Sequence, residues 1–228
     1  MSVLELRREE RRNALDVGLC RELLDGARAE VDAGARVLVV TGQGSSFCSG
    51  ADLDGVYGEE FLEALYDMLH GLTRLPVPVV AAVNGPAIGA GTQLALACDL
   101  RVAGDTARFA VPTARNGMAV DAWTIRTLAA VAGGGVARRL MLAAETLDRD
   151  AAVHCGLVDR VGGLEVALAW AHEIADLAPL ALAHNKGVLN GAADDVVEAS
   201  FAACWASDDV AEASAARREK RTPIFQGR

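Results

Sequence analysis

The sequence predicts an α/β fold built on a mainly parallel sheet, and two patterns carry that expectation. In the first half, short runs of β-branched and small apolar residues alternate with glycine-bearing loops and amphipathic helical stretches, the order expected of parallel strands joined by crossover helices. From Trp123 onward helical periodicity dominates, and no long polar linker separates the two parts. We therefore expect one domain over residues 1–228, with an α/β core to about residue 122 and a helical region from about 123. A chain of 228 residues is long enough for a full hydrophobic core of that kind.

Taken in order, Asp16 to Ala33 places Leu19, Leu23, Ala27 and Val31 at helical spacing and leads into a β-rich run, Arg36 to Thr41. A loop rich in Gly and Ser follows, Gly42 to Gly50. Glu59 to Leu75 puts Phe61, Leu62, Leu65, Met68, Leu69 and Leu72 on one helical face, and Pro76 and Pro78 end that helix before the buried strand Val79 to Val83. Asn84 to Gly91 is the second glycine-bearing loop. Thr92 to Cys98 then reads as a helix and Asp99 to Ala103 as a strand. The residues from Arg221 to Arg228 contain Pro223 and Gly227 and should form an extended arm.

Composition removes several classes of function. No run reaches the roughly 18 apolar residues of a membrane span, so no transmembrane segment is expected. The charged start shows no secretory or transit signal, and the cytoplasm is the expected compartment. Cys20, Cys48, Cys98, Cys155 and Cys204 are scattered, without CxxC spacing, which favours reduced, mostly buried thiols over disulfides or zinc. A net charge of -9 disfavours a nucleic-acid partner. Arg7, Arg8, Arg11 and Arg12, and again Arg217, Arg218, Lys220 and Arg221, are read either as solvated helix ends or as local positive pockets for a polyanion. Only two of the 22 basic residues are lysine, Lys186 and Lys220, a bias suggesting a high-GC genome.

Two segments present backbone donors after a strand: Phe47 to Leu53, and Asn84 to Gly91. A strand, a glycine-bearing loop and a helix start leave N–H groups unpaired, and the helix dipole favours negative oxygen there. Convergent donors stabilise an enolate-like thioester oxygen, each by about 3 kcal/mol in a transition state. From the residues alone, a structural turn is the favoured role for each loop, because small residues serve tight packing as often as catalysis.

The run FCSGADL, followed by PVVAAVNGPAIGAG and ACDLRVA, together with RRNAL, GLVDRV and EKRTPIFQG, resembles the crotonase, or enoyl-CoA hydratase/isomerase, family over nearly the whole chain. That resemblance implies a spiral of ββα units with a C-terminal helical trimerisation region, assembling as a homotrimer or a dimer of trimers. It implies that the N–H groups of Ala51 and Ala90 hold an acyl-CoA thioester oxygen. Coenzyme A then enters as part of the ligand, with no tightly bound cofactor and no metal. The contacts implied for it are Arg12, Cys48, Ser49, Gly50, Ala51 and Leu53, with Lys220 and Phe225 reaching the nucleotide of a neighbouring subunit. The finer pattern looks close to a mycobacterial branch linked to mycolic-acid lipid synthesis, which implies fatty-acid synthesis enzymes as partners.

Hydration of an enoyl thioester needs one group to activate water and one to protonate the α-carbon, and family hydratases use two glutamates. By the resemblance, their positions are taken here by Gln93 and Thr113, neither of which is a competent base alone. Asp121 is read either as the N-cap of the helix from Trp123 or as a non-standard acid/base, and Trp123 as packing or a wall of the substrate pocket. His70, His154, His172 and His184 are read as structural. The leading expectation is an acyl-CoA binder or carrier without hydratase activity. The alternative is an active hydratase or isomerase using Asp121. An interaction protein that has abandoned coenzyme A is disfavoured because both donor loops persist.

Overall fold

The structure, a computed structural model, describes residues 1–52 and 58–228. Within them, strands β1 (Ser2–Leu6), β2 (Leu38–Gly42), β3 (Val79–Val83), β4 (Pro86–Ile88), β5 (Leu100–Ala103), β6 (Arg108–Ala110), β7 (Thr146–Asp148) and β8 (Arg160–Val161) form two sheets. The larger is wholly parallel in the order β1-β2-β3-β5-β8, and the smaller is β4-β6-β7, with β4 parallel and β7 antiparallel to β6. The expected parallel sheet is present. Its central strands β2 and β3 are buried on both faces, which explains their unbroken apolar runs.

The helices are α1 (Val17–Asp32), α2 (Glu59–Arg74), α3 (Ala90–Ala97), α4 (Ala122–Ala132), α5 (Gly134–Leu142), α6 (Arg149–His154), α7 (Leu164–Ala175), α8 (Pro179–Leu189), α9 (Asp194–Ala206) and α10 (Asp208–Glu219). On one face of the larger sheet, α1 and α2 bury Leu23, Leu24, Met68, Leu69 and Leu72 in the main core with α3. On the other, α7 lays Ala167, Ala171 and Ile174 against Val39, Val80 and Val102. Each large apolar side chain so buried contributes about 1.5–3 kcal/mol against leaving it in water.

The structure corrects several details. The segment Asn84 to Gly91 is not all loop: it contains β4, and α3 begins at Ala90 rather than Thr92. The region after residue 123 is not purely helical, since β7 completes the smaller sheet and β8 extends the larger one. Leu62 is 48% exposed and leaves the apolar stripe of α2. The cysteines are free; Cys20, Cys48 and Cys98 are buried, and Cys155 and Cys204 are half-buried. Among the described residues no single helix is long and apolar enough to cross a membrane.

Lys186 of α8 ties the periphery to the core. It is 5% exposed, donates to the carbonyls of Leu72 and Val77 at 3.0 and 2.9 Å, and pairs with Asp99 at 2.8 Å. Asp99 also accepts the N–H of Val79. The buried charge is thus compensated on several sides, as burial of an ammonium requires.

Candidate active site

Strands β2 and β3 are parallel neighbours in register from Leu38 with Val79 to Thr41 with Ala82, so the loops that follow them leave the sheet at the same edge. This is where α/β sheets place their ligands. Loop residues 42–50 are braced from below. Asn13, fully buried, donates from Nδ2 to the carbonyls of Gln43 and Ser46, and Asn84 donates to Gly44 while accepting from the Gly42 N–H.

The two loops are then stitched together. The Cys48 N–H donates to the Pro86 carbonyl at 3.1 Å, and the Ile88 N–H donates to the Cys48 carbonyl at 3.0 Å. Leu15 bonds the next stretch, donating to the Gly50 carbonyl and accepting from the Asp52 N–H. Asp52 pairs with Arg8 at 2.9 Å, and Arg8 also pairs with Asp16, the N-cap of α1. Asp52 therefore braces its loop. Gly50 sits at φ +107, and a Cβ there would stand 2.8 Å from the Ile88 carbonyl oxygen and 3.7 Å from the Ala90 nitrogen. The first loop passes directly beside the start of α3, at a separation that only glycine permits.

Two amides remain. In the bonding around Ala51, the Gly50 carbonyl and the Asp52 N–H are used, whereas the Ala51 N–H donates to no acceptor among the described residues. The Ala90 N–H opens α3, where a helix leaves its first donors unpaired, and it too donates to none of them. Both residues border one pocket of about 140 Å³, walled by Ser49, Gly50, Phe61, Leu65, Tyr66 and Ile88, with Gln93, Thr113 and Met118. The Ala90 N–H lies at the dipole-positive end of α3.

Gln93 is 3% exposed and donates from Nε2 to Thr124 Oγ1 at 2.8 Å. Thr124 in turn donates to Asp121 Oδ1 at 2.5 Å, and its N–H donates to the same oxygen at 3.0 Å. Asp121 therefore is the N-cap of α4. Its other oxygen lies 3.4 Å from His70 Nε2, and its N–H donates to the Tyr66 hydroxyl. His70, set aside as structural from sequence, thus belongs to this cluster, with its ring edge-on to Trp123 at 5.2 Å. Trp123 packs there and, like Asp121, does not line the pocket, which favours packing among the two roles expected of it.

The other expected residues scatter. Arg12 is exposed, in a left-handed turn whose carbonyl accepts from the Ser49 N–H. Leu53 lies outside the described residues. Cys48 is fully buried, and burial pushes its thiol up to about 12. Neither Lys220 nor Phe225 borders the pocket of its own chain, and the reach expected of them is to a neighbouring subunit. Lys220 ends α10, and Phe225 sits in an apolar groove of about 700 Å³ between α8, α9 and α10, its carbonyl accepting from Arg36. The terminal arm folds back on its own chain: Asp209 accepts the N–H groups of Gln226 and Gly227. Within the basic clusters, Arg7 pairs with Glu5, Arg8 with Asp16 and Asp52, and Arg221 with Glu212 and Glu219.

Sequence reasoning missed Tyr66, His70 and Thr124. A signal was present: Tyr66 and His70 are polar residues four apart, and so on one face of α2, beside its apolar stripe.

A family model described as enoyl-CoA hydratase/isomerase matches residues 1–228. The chain is 48% identical to a protein of Mycobacterium tuberculosis (strain CDC 1551 / Oshkosh) named probable enoyl-CoA hydratase echA6, over 98% of this chain and 95% of that one. It is 35% identical to the 2,3-dehydroadipyl-CoA hydratase of Escherichia coli (strain K12), over 99% and 95%. The crystal structure of an enoyl-CoA hydratase from Bacillus anthracis superposes with a TM-score of 0.89 at 28% identity, covering 99% of this chain and 95% of that one.

Proposed function

The chain belongs to the enoyl-CoA hydratase/isomerase family, and from that premise we propose that it binds a fatty acyl-CoA thioester, with the carbonyl oxygen between the N–H groups of Ala51 and Ala90, and serves as a binder or carrier without hydratase activity. The observation that carries the reading is the pair of unpaired amides on one pocket. Support for the missing turnover comes from the residues around them. Gln93 cannot take a proton near neutral pH, and Thr113 has no partner among the described residues to activate its hydroxyl. Both oxygens of Asp121 are engaged, one by Thr124 and one beside His70, and neither borders the pocket. A general base must reach the proton it removes, so the geometry favours binding over an Asp121-based isomerase.

The ligand class suggests a place in fatty-acid metabolism, alongside enzymes of fatty-acid synthesis. Assembly as a trimer or a dimer of trimers through the C-terminal helices forms part of the same reading. It is supported by the exposure of Leu189, Phe201 and Trp205, at 85%, 55% and 67%, an apolar surface large for a free monomer.

The test is calorimetric titration with acyl-CoAs of medium and long chain, run beside an assay following loss of the 2-enoyl thioester absorbance. Saturable binding with no hydration is expected. Absence of binding across the series overturns the reading, and rapid hydration overturns its second half.

A further inference from the structure

The cluster behind the pocket fixes the orientation of one amide. Thr124 has a single hydroxyl proton, and it goes to Asp121 Oδ1 at 2.5 Å. Toward Gln93, then, Thr124 Oγ1 can only accept, and the atom that faces it must be Nε2, at 2.8 Å. The reversed amide would set two acceptor oxygens against each other without a proton between them. Oε1 is left as the free end. Among the described residues the sole sealed side-chain polar atom without a partner is Nε of Arg36, so Oε1 of Gln93 is not sealed, and it has no protein donor. It opens onto the pocket that Gln93 lines.

Gln93 lies three residues after Ala90 in α3, on the same side of the helix, and helical side chains lean toward the N-terminus. Its carbonyl is therefore aimed toward the ground beside the Ala90 amide, where atoms one or two bonds from a bound thioester carbonyl would lie. Thr113, across the pocket, brings a hydroxyl that makes no side-chain hydrogen bond with the described residues. One fixed acceptor and one rotatable hydroxyl match a ligand bearing its own hydroxyl at the third carbon. A saturated or 2-unsaturated chain has no donor there and displaces water from Oε1 without replacing the bond, which lowers affinity.

We propose that Thr124 and Asp121 are positioning residues that hold the Gln93 carbonyl toward the pocket, and that the site thereby prefers 3-hydroxyacyl thioesters over their saturated and 2-unsaturated counterparts. The inference rests on the acyl-CoA reading above and deepens it. Its test is the ratio of dissociation constants for a 3-hydroxyacyl-CoA and the saturated acyl-CoA of equal length, measured by calorimetry on the full chain. The ratio favours the hydroxy ligand by about tenfold or more in the unaltered protein. It collapses toward one in Thr124→Val, which keeps the branched shape but frees the amide to turn, and it returns in Thr124→Ser. Equal binding of both ligands by the unaltered protein, or a ratio that Thr124→Val does not move, overturns this inference alone. Failure of Thr124→Ser to restore the ratio overturns the positioning role. If neither thioester binds, the broader reading falls and this one falls with it.

Discussion

Gly91 lies so close to Cys48 that a Cβ on the glycine would stand 2.1 Å from the cysteine's carbonyl oxygen. That carbonyl already accepts the Ile88 N–H, so the contact is one of the links between the two loops. Gly91→Ala forces the loops apart, and we expect a stability loss of about 1–3 kcal/mol by denaturant unfolding. A weakening of acyl-CoA binding should accompany it, because the Ala51 and Ala90 amides separate.

Gln93→Glu places a second carboxylate against Thr124, whose one proton is already given to Asp121. The substitution should destabilise the chain by about 1–3 kcal/mol. Asp121→Ala in the same chain lowers that cost, since Thr124 no longer gives its proton to Asp121 and can turn it toward the new carboxylate. A double-mutant cycle by thermal unfolding measures the coupling. Additive effects of the two substitutions would contradict the network.

Lys186→Ala removes an ammonium that satisfies Leu72, Val77 and Asp99 at once. Breaking a buried pair from one side costs about 3–5 kcal/mol, so this variant should unfold at markedly lower denaturant than the unaltered chain.

Burial pushes the thiols of Cys20, Cys48 and Cys98 up to about 12. At pH 8 about one part in ten thousand of each is thiolate, the form that reacts. Iodoacetamide on the native protein should label the half-buried Cys155 and Cys204 first, as mass spectrometry of digests will show. Rapid labelling of Cys48 would mean that the loop beneath the pocket opens readily.

Hydrogen bonds from Arg221 and from the Ile224 N–H lower the Glu212 carboxyl from 4.5 to about 2. Because the folded value is the lower one, this tie on the terminal arm is intact above pH 4.5 and is lost as pH falls from there through about 2. Cleavage of the arm by an acid-active protease should rise across that window and be already high in Glu212→Gln at the upper end of it.

The parts of the fold legible in sequence were those whose pattern is local. The apolar stripe of α2 and the continuous run of β3 fall within a residue of their expected limits because burial imposes each pattern directly. Strands β4, β6, β7 and β8 have two or three residues each, too short to show a period, and they exist through pairing with distant partners. The two loops that meet at the pocket were readable because glycine marks both. The link from Gln93 to Asp121 was not, since it runs through Thr124 and depends on α3 and α4 meeting in space. Asp121 illustrates the difference: its cap role follows from the three residues after it, whereas its neighbour His70 comes from a helix fifty residues away.

The central claim is that a thioester carbonyl accepts from Ala51 and Ala90 together. Isotope-edited infrared spectroscopy of a bound acyl-CoA labelled with carbon-13 at that carbonyl tests it most directly. Two hydrogen bonds weaken the C=O bond, so the band should move to lower frequency on binding. The shift should shrink in Ala90→Pro, which deletes one donor at a helix position where proline fits. A band that stays at its solution frequency in a saturated complex would contradict the account.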